Sequence, residues 1–242
     1  MEGRIYYMNR LVSFSGIDGS GKTTQITNLL DYYKKQNKKC ISYTELPKTE
    51  PIEEGLSLKD YYNMVKDFDV LVLRSCYRRQ DHVNYLKYIK NESHSIEDTY
   101  KLQHFFIRDT YEWFKKVIIP LIKTNKIIIF DRFVYDELPY QMLFNKDVSM
   151  IENLIDILPK PQSFYLKIDV ETMKNRNADR EDSKNKLFSS DERIKKLLDN
   201  YDNVFRKFEC TPIEATLDTT TVNRCVMNKL SINNIGEENE RI

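Results

Sequence analysis

The apolar positions of this chain change their period repeatedly, and each change marks an element. Leu11, Val12 and Phe14 form a short apolar run, after which Ile26, Leu29, Leu30 and Tyr33 recur at helical spacing. This predicts a strand, a tight loop over 14–24 and a helix over 22–36. A second strand is expected over 40–44, and 49–59, with Pro51 and Gly55 among charges, reads as a loop. The tyrosine-rich stretch 58–90 reads as helical. So does 96–121, where Leu102, Phe105, Phe106, Tyr111, Phe114 and Val117 precede Pro120. The continuous β-branched run at 126–130 suits a strand buried on both faces. Strands over 162–168 and 211–218, helices from 171, over 193–208 and over 221–230, and a frayed tail over 231–242 complete the pattern. Strand and helix alternate about five times, which predicts an α/β fold with a five-stranded parallel sheet wrapped by helices.

The loop at 14–24 carries the strongest chemical signal. The protein has six glycines, and Gly16, Gly19 and Gly21 all fall here, so a chance turn is a poor account of them. Gly16, four residues, then Gly21-Lys22-Thr23 is the spacing of a phosphate cradle between a strand and a helix. Glycine lets backbone N–H groups, including those of Ser20 and Thr24, turn inward at a helix N-terminus and form an anion nest. Lys22 reaches the terminal phosphates, and the Thr23 hydroxyl suits a magnesium ion. The fold expected is therefore a P-loop NTPase three-layer sandwich.

Further candidates sit at the carboxyl ends of strands, where open α/β sheets bind ligands. Asp131-Arg132 closes the 126–130 run; the carboxylate suits water-mediated magnesium and the guanidinium a phosphate. Glu45 faces the same crevice or serves as a turn acid before Pro47. Asp218 and Thr219 follow the last strand. Arg78 and Arg79 meet an acceptor phosphate or face water. The polar run 176–190 lacks apolar periodicity and reads as a solvated loop or as a closing lid, in which Arg176 and Arg180, four apart and on one face if the helix continues, deliver positive charge to a transferring phosphoryl group.

Composition narrows the partners. Thirty-eight basic against thirty-seven acidic residues leave a net charge of +1, so bulk attraction to nucleic acid or an anionic membrane is not expected. The four cysteines, Cys40, Cys76, Cys210 and Cys225, form no Cys-x-x-Cys pair and read as reduced thiols. No signal-peptide pattern opens the chain and its apolar runs are short, so a cytoplasmic protein of a single domain over 1–242 is expected.

Taken together, these residues resemble the thymidylate kinases, a family of P-loop nucleoside-monophosphate kinases. The likeness rests on 14–25 (Phe-Ser-Gly-Ile-Asp-Gly-Ser-Gly-Lys-Thr-Thr-Gln), Ile119-Pro120-Leu121-Ile122, Asp131-Arg132-Phe133 with Tyr140-Gln141, the lid region 169–181, and Leu217-Asp218. It implies transfer of the ATP γ-phosphoryl to dTMP with Mg2+, and commonly a homodimer through helices beside the sheet. The aromatic side of 102–117 could serve such a contact, although core burial explains those residues equally well. Position by position, the resemblance makes Asp18 the loop carboxylate near the acceptor. Arg132 becomes the acceptor-phosphate arginine, Phe106 the aromatic on the base, and Tyr140 the tyrosine below the sugar, followed by Gln141. Thr219 and Thr220 become neighbours of the adenine. Gly19 fills the loop position where some members carry a catalytic arginine, which leaves that role to Arg176 and Arg180.

Five positions depart from the family pattern. Ser15 stands where Glu is usual, Thr44-Glu45-Leu46-Pro47 replaces an Arg-Glu-Pro turn, and Thr110 replaces a pyrimidine-reading arginine that Arg108 could substitute. Asp136 and Glu137 stand where small or amide residues are usual. These changes bear on the acceptor, so two alternatives stay open. One is a kinase of the same fold acting on a deoxynucleoside, another monophosphate or a small metabolite; the other is a nucleotide-dependent switch without acceptor chemistry.

Overall fold

The sheet is built outward from the strand that feeds the glycine loop. In the computed structural model, residues 10–46, 57–74, 96–144, 146–178 and 190–230 are described. The strands are β1 (Leu11–Ser15), β2 (Cys40–Ser42), β3 (Val70–Arg74), β4 (Ile127–Asp131), β5 (Gln162–Lys167) and β6 (Thr211–Glu214). They form one sheet in the order β2-β3-β4-β1-β5-β6, with every pairing parallel. Among the described residues the sheet is thus six-stranded rather than five-stranded.

The added strand is β3, and it corrects the helix expected over 58–90. Within the described part of that stretch, Leu58–Val65 is helical (α2), capped by Ser57, whose side chain accepts the Asp60 N–H. Val70-Leu71-Val72-Leu73 is then a run of apolar residues, each at most 1% exposed, and a strand between two others buries both of its faces. The tyrosines on either side concealed that short run.

Helices cover the sheet: α1 (Lys22–Lys35), α3 (Ile96–Trp113), α4 (Ile119–Lys123), α5 (Glu137–Leu143), α6 (Ser149–Ile157), α7 (Val170–Asn177), α8 (Asp191–Lys207) and α9 (Thr219–Lys229). A π-helical turn, Phe114–Ile118, joins α3 to α4. Pro120 lies just beyond it and cannot donate a backbone bond, which accounts for the widened register where one continuous helix is expected. Phe114, Phe130 and Phe133 pack ring against ring at 5.4–5.9 Å, and this aromatic core holds the end of β4 in place.

The edge that carries the candidate site follows from register. Phe14 of β1 pairs with Asp131 of β4, and Arg74 of β3 pairs with the same Asp131. The glycine loop, Arg74 and Asp131-Arg132 therefore leave three neighbouring strands at one edge of the sheet. Among the described residues, no helix is long and apolar enough to cross a membrane.

Candidate active site

The glycine loop adopts the backbone that its sequence requires. Gly16, Gly19 and Gly21 have φ of 140°, 82° and 93°. A Cβ on Gly19 would lie 2.5 Å from Asn177 Nδ2, so glycine is needed there for space as well as for conformation. Helix α1 has no side-chain cap and no acidic residue in its first turn. Its leading N–H groups and its dipole are thereby left for an anion.

Lys22 lies buried along this loop. Its Nζ donates to Gly16 O and Ile17 O at 2.9 Å each and to Ser20 Oγ at 3.4 Å. Burial, followed by the nearby Arg132 charge, lowers its pKa to about 7, against the pull of Asp18, Asp136 and Asp131. A pocket of about 360 Å³ opens over the loop, lined by Gly19 to Gln25, Arg176, Ala215, Leu217, Thr219 and Val222. Thr23, Thr24 and Thr219 are exposed to it, and Leu217 is 46% exposed at its rim. Arg176 spans the pocket's edge, donating from Nη1 to Gly19 O at 3.2 Å and from Nη2 to Ala215 O at 2.8 Å. Arg180 and most of the expected lid lie outside the described residues, as do Arg78, Arg79, Cys76, Thr49 and the tail. Among the described residues Cys40, Cys210 and Cys225 are free thiols.

Arg132 sits at the opposite wall, at φ 69°, a left-handed backbone that a non-glycine residue adopts at a cost. Its Nη2 pairs with Asp18, and its Nη1 donates to Gly16 O at 2.7 Å, to Tyr201 Oη at 3.1 Å and to Asp136 Oδ1 at 3.2 Å. The strand-end arginine and the loop are thus joined directly. Asp131 is 8% exposed, and its Oδ2 accepts from Tyr43 Oη at 2.8 Å. Tyr140 packs edge-on to Tyr201 at 6.0 Å, and burial raises its pKa to about 12. Gln141 is buried on the same helix.

Other expected site residues stand further from this centre. Glu45 accepts the Ser42 N–H at 2.9 Å, closing its own turn, which is the turn-acid alternative. Phe106 is 1% exposed, packed into the core, and Thr110 is equally buried. Arg108 lies over the Phe105 ring at 5.2 Å with its side chain 59% exposed, so it does not point toward Thr110. Glu137 is partly buried, and burial together with neighbouring Asp136 raises its pKa to about 7.

Three contributors are not evident from sequence patterning. Asn177 donates from Nδ2 to Asp18 O at 3.0 Å, bracing the loop from the end of α7. Tyr201 carries the helical spacing of a core residue yet brings its hydroxyl to Arg132. Arg74, inside the stretch expected to be helical, ends β3 and pairs in register with Asp131. Only the three-dimensional pairing of strands and helices exposes these roles.

A parallel sheet with a phosphate-binding loop after β1 and an Asp-Arg pair at the end of adjacent β4 defines a P-loop nucleotide phosphotransferase. The family model described as thymidylate kinase matches residues 84–226, and the chain belongs to the thymidylate kinase family. As a member it is a phosphotransferase with nucleotide substrates. A thymidylate kinase of Ureaplasma parvum is 26% identical over 203 residues, spanning 81% of this chain and 76% of that protein. A protein of Pyrococcus abyssi named "Probable thymidylate kinase" is 26% identical over 150 residues, and the match spans 60% of its length. The fold resembles the crystal structure of thymidylate kinase from Ehrlichia chaffeensis, with a TM-score of 0.55 at 22% identity, covering 93% of this chain and 99% of that one.

Proposed function

We propose that this chain transfers the γ-phosphoryl group of ATP to the 5'-phosphate of dTMP, giving dTDP and ADP. The observation that carries the reading is the junction of Arg132 with the glycine loop: one guanidinium touches Gly16 O and Asp18 at the loop that holds the donor. An acceptor phosphate paired to Arg132 is then brought against the donor phosphates, which is the orientation that in-line transfer needs.

The loop amides and Lys22 bind the donor phosphates, and Thr219 with Leu217 borders the adenine. Arg176, and Arg180 from the lid, place positive charge where it develops during transfer. Asp18 orients the acceptor side of Arg132. Phe106, Tyr140 and Gln141 are assigned to the base and sugar side of the acceptor cleft by their place in the family motif, Phe106 and Gln141 being buried in this structure. The donor set available for magnesium is the Thr23 hydroxyl and, through water, the free side of Asp131. Among the described residues no cluster of three His, Cys, Asp or Glu side chains forms a protein cage. That set fits an ion held chiefly by substrate phosphates and waters. When bound, magnesium would supply positive charge that neutralises the phosphates.

The departures from the family pattern weigh less against dTMP than their charges suggest. Asp136 is occupied by protein donors, and Glu45 by its own turn, so two of the three carboxylates are not aimed at an acceptor. A deoxynucleoside acceptor is disfavoured because it would leave Arg132 without an acceptor phosphate. The test is ADP release with ATP and magnesium against dTMP, other nucleoside monophosphates and free deoxynucleosides. Preferential turnover with dTMP supports the reading. Preference for another acceptor moves the substrate, and ATP hydrolysis indifferent to every acceptor favours a switch.

A further inference from the structure

Asp136 lies one turn beyond Arg132 and is 3% exposed. Its Oδ2 accepts from Ser15 Oγ at 2.5 Å and from Phe133 N–H at 3.1 Å. Its Oδ1 accepts from Gly16 N–H, Arg132 Nη1 and Tyr201 Oη, each at 3.2 Å. These donors come from the end of β1, the first glycine of the phosphate loop, the strand-end arginine, the residue that follows it, and the middle of α8, the helix beyond 178–190. The Tyr201 ring is itself fixed, stacked on Tyr165 at 5.9 Å with 7° between planes.

Gly16 is held from both sides by this arrangement. Its N–H reaches Asp136, while its carbonyl accepts from Lys22 Nζ at 2.9 Å and Arg132 Nη1 at 2.7 Å. One buried carboxylate therefore orders the residue that begins the donor site and the guanidinium that faces the acceptor. Ser15 and Asp136 are both departures from the family pattern, and they face each other across a single contact. In this chain the contact holds a hydroxyl at 15 and a carboxylate at 136.

We propose that Asp136 is a positioning residue for phosphoryl transfer, and that Ser15 and Asp136 form one carboxylate–hydroxyl pair whose two ends can be exchanged. The proposal rests on the kinase reading of the site. Asp136 acts through Arg132 and the loop and does not itself touch the reacting atoms. Asparagine cannot replace it: a backbone N–H faces each oxygen, so the amide nitrogen meets a donor whichever way it is turned. A carboxylate at 15 facing a hydroxyl at 136 restores the charge beside Arg132 and adds one methylene to the pair.

The experiment compares wild type with D136N, D136S, S15E and S15E/D136S, measuring kcat and KM for dTMP and ATP, together with ATP–magnesium affinity by calorimetry. Losing charge-assisted bonds at the junction should lower kcat/KM for dTMP by about tenfold or more in D136N and D136S. S15E, with two carboxylates in one buried contact, should lose as much, and the exchanged pair should recover at least tenfold over D136S. A merely structural role would lower the amount of folded enzyme without this reciprocal recovery. Wild-type kinetics in D136N, or an exchanged pair no better than the worse single variant, would overturn the proposal. If D136S does not fold, the exchanged pair is judged against D136N, which keeps the original side-chain size. A wild type that turns over no acceptor contradicts the kinase reading, and the same pattern of loss and recovery in ATP affinity then decides this proposal separately.

Discussion

Lys22 is buried against the loop carbonyls with its pKa lowered to about 7, a state suited to meeting a polyanion. In the proposed reading, donor phosphates give the ammonium the counter-charge that burial withholds and draw its pKa back toward the ordinary value. ATP binding at pH 8–9 should therefore take up a proton, and affinity should fall as pH rises above about 7. Calorimetry in buffers of different ionisation enthalpy reads both effects; proton-neutral binding would contradict them. Lys22→Ala should fold and lose turnover by at least ~100-fold in the assay for ADP release. Gly19→Ala meets a positive φ and a contact at 2.5 Å with Asn177, so it should cost ~1–3 kcal/mol in chemical denaturation and weaken ATP binding. The need for glycine at 19 was legible from the loop spacing, whereas the Asn177 side chain that makes it strict was not. It comes from a helix more than a hundred residues further on, and no local pattern links the two.

Elements were legible where one periodicity persisted and lost where it broke. β1 with α1, and β4 with its terminal Asp131-Arg132, are found where the apolar pattern put them because a strand buried on both faces must be continuously apolar. β3 was hidden because four apolar residues fit a strand or a buried helix equally, and the tyrosines nearby favoured the helix. α8 shows the same limit at the site. Tyr201 lies at the helical spacing of a core residue, and its ring is one, yet the hydroxyl at the end of that ring belongs to the Arg132 junction. The helix also has a clear boundary: Ser190 accepts the Arg193 N–H, with Asp191 and Glu192 in the first turn. Ser190→Ala should cost ~1 kcal/mol and lower the melting temperature by roughly 2–4 °C. Differential scanning calorimetry checks this, and an unchanged midpoint would mean that the cap contributes nothing.

At the scale of the molecule, two buried charges give stability a pH profile with opposite limbs. Glu137, raised to about 7, keeps its proton in the fold while the unfolded chain has lost it, so its contribution is present below about 4.5 and fades as pH rises to 7. Lys22, lowered to about 7, has the converse effect: the unfolded chain binds the extra proton between about 7 and 10.5, so stability rises with pH across that window. Urea denaturation of Glu137→Gln should show a flattened slope between pH 4.5 and 7, and an unaltered slope would contradict the burial of that carboxyl. The six parallel strands bring the charged residues of the site to one edge, and the sequence identified most of them singly. Their connections through Asp136 and Tyr201 required the folded chain. The central claim, that this edge moves a phosphoryl group from ATP to dTMP, is tested most directly by incubating the protein with γ-labelled ATP, magnesium and dTMP and separating the products. Label in dTDP, abolished in Lys22→Ala, is the predicted result; label released only as inorganic phosphate, at a rate indifferent to dTMP, would contradict it.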